Sequence, residues 1–138
     1  MIRTEEITLL SEGGFHAFNI TDQVRDVVQR SGIGEGSALV FYRHTSGAVV
    51  IIEHEAGILV DLEDVLERLI PVGADYTHHR RGYDLNGAAH VRTAFLGVSV
   101  TVPVAQADLL LGTYQEIIVI DMDPERKTRS VVIQVTGE

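Results

Sequence analysis

The chain of 138 residues has no cysteine and only three prolines. Without thiols, disulfides and thiolate metal sites are excluded, and any metal must be held by nitrogen and oxygen. Long apolar runs are also missing. None approaches the ~20 residues that a membrane-spanning helix needs, so no membrane partner is expected. The opening "MIRTEEITLL" has acids where a signal peptide has its apolar centre, which points to the cytoplasm. Cations are scarce. Eleven Lys and Arg stand against twenty Asp and Glu, a formal charge of −9 that repels phosphate backbones and argues against a nucleic-acid partner. What remains is 45% apolar, enough for the core of one domain spanning residues 1–138.

The order of elements reads as α+β. "RTEEITLL" and "FHAFNI" are strands joined at "SEGG", and "ITDQVRDVVQRSG" is a short amphipathic helix with Ile20, Val24, Val27 and Val28 on one face. "SALVFYRHTSGAVVIIEHE" gives two strand-like runs broken near Thr45-Ser46-Gly47. In "AGILVDLEDVLERLIP" the residues Ile58, Leu59, Leu62, Val65, Leu66 and Leu69 recur at helical spacing until Pro71 closes the helix. A loop from Val72 to about Gly87 leads into a short helix in "AAHVRTAFLG". "VSVTVPV", "EIIVIDMD" and "RSVVIQVTG" are strands, with "DPERKT" as a charged hairpin turn. Strands dominate, so the expected core is a largely antiparallel, sandwich-like sheet with two or three helices. The near-continuous apolar runs in the last two strands require cover on both faces, from helices or from another subunit.

The loop "YTHHRRGYDLNGAAH" concentrates His78, His79 and His90 with Arg80, Arg81, Asp84 and Asn86. Converging imidazoles hold zinc, nickel, copper or iron. Spacing alone leaves the other reading open, in which the histidines are exposed loop and helix-face groups. His44 ends an apolar strand before a Thr-Ser-Gly break, as a functional residue or as the partner of a carbonyl in a capped turn. Glu53 closes "AVVII" as a ligand, as the partner that orients a histidine, or as the point where the strand meets water. Asp84 and Asn86 are also ordinary turn formers, and Arg81 is either a phosphate ligand or a solvated charge. In "LLLGTYQE", Gly112 and Thr113 interrupt an apolar run, where backbone N–H groups hold an anion or merely form a bulge, and Gln115 offers a donor and an acceptor.

Taken in order, "RHTSGAVVIIE", "YTHHRRGYDLNGAAHVRTAFLG", "LLLGTYQEIIV" and the closing "RSVVIQVTGE" resemble the YjbQ-like family along nearly the whole chain. The resemblance implies a sandwich-like α+β fold assembled as a homotrimer, and an activity of the secondary thiamine-phosphate synthase type, joining a pyrimidine pyrophosphate to a thiazole phosphate. It implies a metal site of His44, His78 and His90 for a divalent ion, zinc or magnesium foremost. Catalytic roles fall to Glu53, Asp84 and Asn86. Binding of a small phosphorylated molecule falls to Thr45, Arg81, Gly112, Thr113, Gln115 and Arg129. Three positions depart from the family pattern. Ile52 replaces an Asn, Ala107-Asp108 replaces Gly-Arg, and Tyr114 replaces a Trp. The arginine-to-aspartate change reverses a charge that an anion would use. Two alternatives to the transferase are a non-catalytic trimeric protein that binds a metal or anion, and a metal-dependent hydrolase.

Overall fold

The computed structural model describes residues 1–82 and 84–138. In chain order the elements are β1 (Ile2–Ser11), β2 (His16–Asn19), α1 (Thr21–Ser31), β3 (Gly36–Tyr42), β4 (Gly47–Ile52) and α2 (Ala56–Leu69). A 3-10 turn (Thr77–Arg81), α3 (Gly87–Leu96), β5 (Ser99–Ala105), β6 (Asp108–Leu109), β7 (Glu116–Asp121) and β8 (Lys127–Gly137) complete the chain. All strand pairs are antiparallel. They form one sheet of order β1-β8-β3-β5-β6 and a second of order β2-β7-β4. The expected α+β class with an antiparallel core is what the chain adopts. Among the described residues, no helix is long and apolar enough to cross a membrane.

Two apolar layers hold these sheets. The first lies between them and takes the inward residues of both, with Val24, Val27 and Val28 of α1 packed against it. The second lies on the far face of the smaller sheet, where Ala48, Ile118 and Ile120 meet Leu66 of α2 and Ala89 of α3. β7 is therefore buried on both faces, Ile117 and Val119 in one layer and Ile118 and Ile120 in the other. Its continuous apolar run is explained by the helices. No second subunit is needed to cover it. β8 differs, since Val131, Ile133 and Val135 are buried while the residues between them are only half-buried.

The expected apolar face of α2 is buried over part of its width, with Leu62 packed half-buried beside Leu66 against the second layer. Only Leu66 is buried, whereas Val65 and Leu69 are exposed. Leu66→Asp, rather than Val65→Asp, is the substitution that places an unpaired charge in a core.

The "DPERKT" segment is not a hairpin turn, because β7 and β8 do not pair with each other. β7 belongs to the small sheet and β8 to the large one, so the segment carries the chain across. The same holds at "SEGG" between β1 and β2, and at Arg43–Ser46 between β3 and β4. The ladder β3–β8 ends at Tyr42 opposite Val131, and the ladder β4–β7 begins at Gly47 opposite Asp121. Turn residues and alternating runs look alike in sequence for a hairpin and for a sheet-to-sheet corner, and only the pairing partner distinguishes them. These corners gather polar loops at one end of the sandwich.

Gly47 sits where that corner is tightest. A Cβ there would lie 2.5 Å from the buried Tyr42 ring and 2.7 Å from the Ile120 carbonyl. Gly47→Ala is expected to destabilise the protein by about 1–3 kcal/mol, as overpacking against a backbone atom does. An unchanged denaturant midpoint would contradict the packing described.

Candidate functional site

A cavity of about 460 Å³ opens at this end of the sandwich. The β3–β4 corner supplies Arg43, His44, Thr45 and Ser46, and the 3-10 turn with the segment after it supplies His78, Arg81, Asp84 and Asn86. α3 contributes His90, and the β7–β8 corner contributes Asp123, Lys127 and Arg129. Eight of the expected site residues are thus brought together: His44, Thr45, His78, Arg81, Asp84, Asn86, His90 and Arg129. The other four lie at the opposite end of the same strands. Glu53 follows β4 and is exposed, and Gly112, Thr113 and Gln115 are exposed just before β7. Register puts Ile52 opposite Glu116 but Gly47 opposite Asp121, so the two groups are separated by the length of β4, roughly 17 Å at 3.3–3.4 Å per residue. Gln115 Oε1 accepts from the Gly112 N–H at 2.8 Å, closing its own turn.

Hydrogen bonds fix the imidazoles individually. His44 Nε2 accepts from the Ser130 N–H at 2.8 Å, so the neutral ring carries its proton on Nδ1. His90 Nδ1 lies 2.7 Å from the Thr45 carbonyl, which only accepts, so Nδ1–H is the donor and Nε2 keeps the lone pair. His78 Nε2 lies 3.1 Å from Asn86 Oδ1, and its ring stands edge-on to that of His90 with centroids 4.8 Å apart. His79 is structural. Its Nε2 accepts from Gly87 N–H at 2.9 Å and holds the start of α3. His16 and His54 lie outside the cavity lining.

These bonds bear on the expected metal. A nitrogen that accepts a backbone N–H has no lone pair left for an ion, and the other nitrogen of His44 is then protonated. Among the described residues, no three His, Asp or Glu side chains are arranged to hold an ion. A three-histidine ligand set does not fit this arrangement.

At the floor of the pocket Arg129 meets two acids, Asp121 and Asp123, that the sequence did not single out. Asp121, Asp123 and Arg129 are all buried. Arg129 Nη2 donates to Ser46 Oγ at 3.1 Å and lies 3.4 Å from Asp123 Oδ2. Its Nε is 3.2 Å from Asp121 Oδ1, but the N–H is not aimed at that oxygen, so charge rather than a directed bond holds the pair. The Tyr42 hydroxyl donates to Asp121 Oδ1 at 3.2 Å, and burial, then the Asp121 charge, pushes that phenol well above its ordinary value. Burial pushes the Asp123 carboxyl up, but the Glu125 N–H, Ser46, Lys127 and Asn86 outweigh it and hold the group below the usual range. The sequence signal was available in "IDMD", two acids at the end of a buried strand.

The Ala107-Asp108 departure lies elsewhere. Gln106 and Ala107 form the β5–β6 turn with φ of 52° and 61°, a conformation that suits glycine. Asp108 pairs with Arg25 of α1 at 2.8 Å and does not line the pocket. The charge reversal therefore takes no cation from this cavity.

The fold and the corner pocket define an α+β protein with two packed antiparallel sheets, three helices and a polar, histidine-lined cleft at one end. The family model for UPF0047 protein YjbQ-like matches residues 5–138, and the chain belongs to that family. A UPF0047 protein of Methanothermobacter thermautotrophicus is 36% identical over 99% of this chain and 94% of its own length. One of Archaeoglobus fulgidus is 39% identical over 92% of this chain and 97% of its own. Among solved structures, a YbjQ-like protein of unknown function from Sulfolobus solfataricus superposes with a TM-score of 0.94 at 30% identity, covering 100% of this chain and 99% of that one.

Burial, then the Arg129 charge, depresses the protonation of His44 below the ordinary value of 6.5. The unfolded chain then takes up a proton that the folded chain refuses. The stability from this group is complete above pH 6.5 and is lost as pH falls below it. Glu5, Asp108 and Asp123, whose carboxyls are held below their ordinary values, act only at lower pH. His44→Gln keeps an acceptor for Ser130, and the slope of stability between about pH 7 and 5 is expected to flatten. An unaltered slope in urea titrations would assign it to another group.

Proposed function

We propose that the corner pocket binds a small phosphorylated molecule and acts on it as an enzyme of the thiamine-phosphate synthase type. One observation carries the reading. In a chain of charge −9, Arg43, Arg81, Lys127 and Arg129 line a single cavity with three histidines, against the lining acids Asp84 and Asp123 and the buried Asp121 behind Arg129. Such a cavity suits a phosphate or pyrophosphate and the charge that grows on it as it leaves.

In that reaction the thiazole nitrogen forms a bond to the pyrimidine methylene carbon while the bond from that carbon to pyrophosphate oxygen breaks. Pyrophosphate departs with the electron pair. Arg43, Arg81 and Lys127 receive it, and Arg129, whose charge Asp121 and Asp123 already offset, orients it. His90 Nε2 and His78 hold or move a proton on the departing oxygen. No step is assigned to a metal, since the residues present do not fit a three-ligand site.

Assembly is part of the proposal. Leu69, Phe95 and Tyr114 are exposed apolar side chains, and their cover by neighbouring copies in a cytoplasmic homotrimer is the expected state. Light scattering should give three times the chain mass of 15.1 kDa, and a monomer at micromolar concentration would sink the trimer.

The enzyme reading is tested by supplying the pyrimidine pyrophosphate and the thiazole phosphate and measuring released pyrophosphate. Arg81→Ala is expected to raise the apparent KM about tenfold or more, the loss of one charge-assisted contact. His90→Ala should stop turnover with the fold kept, apart from the ~1 kcal/mol of its bond to Thr45. Saturable pyrophosphate binding without release would favour the non-catalytic alternative. Absence of binding would end both.

A further inference from the structure

His78 and His90 meet edge to face in the pocket, yet their protons are set by different means. A backbone carbonyl fixes His90, and nothing on a side chain can change that. His78 faces the amide of Asn86, a group that offers either an oxygen or an NH₂ depending on which way it is turned. The orientation of that amide decides which nitrogen of His78 carries the proton.

Asp123 decides the amide. Its Oδ2 lies 3.5 Å from Asn86 Nδ2, and a carboxylate only accepts. With the amide reversed, Asn86 Oδ1 would face that carboxylate and two acceptors would oppose each other in a site where Asp123 is buried. Asp123 itself is held on several sides. Oδ1 accepts the Glu125 N–H at 3.0 Å, and Oδ2 is 3.4 Å from Arg129 Nη2 and 3.6 Å from Lys127 Nζ. The carboxylate therefore has little freedom to turn away. We propose that Asp123 is a positioning residue for the pocket: through the Asn86 amide it holds His78 as the Nε2–H tautomer and makes Nδ1 the atom that meets a ligand.

The consequence is an unlike pair of imidazoles. His78 works through Nδ1 and His90 through Nε2. The atom that accepts in the neutral ring donates once the ring is protonated, so Asp123 also fixes where a phosphate oxygen would find its hydrogen bond. This role for Asp123 rests on the proposed function only for its value in catalysis. The tautomers themselves follow from the hydrogen bonds.

The test is nitrogen-15 NMR of histidine-labelled protein at a pH where the imidazoles are neutral, which separates protonated from bare ring nitrogens. The wild-type protein is expected to show His78 protonated on Nε2 and His90 on Nδ1. Asp123→Asn presents either an oxygen or an NH₂ to Asn86, so the His78 signals should move toward a mixture of tautomers while those of His44 and His90 stay in place. Asn86→Ala, which leaves the buried ion cluster whole, should release His78 in the same way and covers the case in which Asp123→Asn does not fold. His78 protonated on Nδ1 in the wild type, unmoved His78 signals in a folded Asp123→Asn, or unmoved signals in Asn86→Ala, would overturn the proposal. Inorganic pyrophosphate titrated into the wild-type protein reports separately on the pocket. If it fails to bind while the tautomers are as stated, the proposed function falls and the positioning role stands.

Discussion

Everything at the cavity end of this molecule depends on how the strands cross from one sheet to the other. β3 pairs with β8 and β4 with β7, so two adjacent ladders must both break at the same place. One side of the break needs four residues, 43–46, and the other needs nine, 122–130. Across the break the Arg43 N–H reaches the Ser130 carbonyl at 3.2 Å and the Met122 N–H the Ser46 carbonyl at 2.9 Å, and the unequal lengths leave space beside these bonds. Polar side chains fill it, with Arg129 reaching from β8 to Asp121 at the end of β7 and to Ser46 at the start of β4. Buried ions of this kind contribute little net stability as a set, but removal of one partner costs about 3–5 kcal/mol because the remaining charge is stranded. The cluster therefore specifies the corner more than it strengthens it.

The cavity follows from the same break. A continuous sheet offers side chains on two flat faces, whereas a corner turns several chain segments toward one volume. His44 is held by the Ser130 N–H of β8, and Thr45 gives its carbonyl to His90 of α3. The 3-10 turn is fixed to the start of α3 through His79 and Gly87, where a Cβ would come within 2.9 Å of the His79 nitrogen. Each imidazole is thus tied to a different element, and their mutual placement reports the packing of the whole end of the sandwich. Side chains so anchored lose little further freedom when a ligand arrives, which is the condition for a preorganised site.

Much of this was legible in the sequence, for reasons that can be stated. The strand and helix patterns of α1, β3, β4 and β7 follow from side-chain periodicity, a local property. The grouping of His78, Asn86 and His90 was visible because one loop carries them. What sequence could not supply was pairing. "DPERKT" reads as a hairpin by composition, and only the partners of β7 and β8 show that it is a bridge. Val65 and Leu66 are adjacent and equally apolar, and which of them α2 buries is set by the sheet beneath it. Asp121 and Asp123 were passed over because an acid at a strand end usually marks solvent. Their burial depends on Arg129, which is distant in sequence.

The separation of Glu53 and the Gly112–Gln115 turn from the pocket is the point at which local resemblance and geometry divide. Both groups flank the same end of β4 and β7, whose ladder runs unbroken from Gly47 opposite Asp121 to Ile52 opposite Glu116. No rearrangement of side chains spans roughly 17 Å of strand, so within one chain these residues and the histidines serve different places. The Gly112 turn is closed on itself by Gln115, and its neighbour Tyr114 is exposed. The histidine end already has its partners within the chain. The two ends of β4 thus differ, with the histidine-lined cavity at one and the exposed Gly112 turn and Tyr114 at the other, and the buried β7 between them holds their spacing fixed.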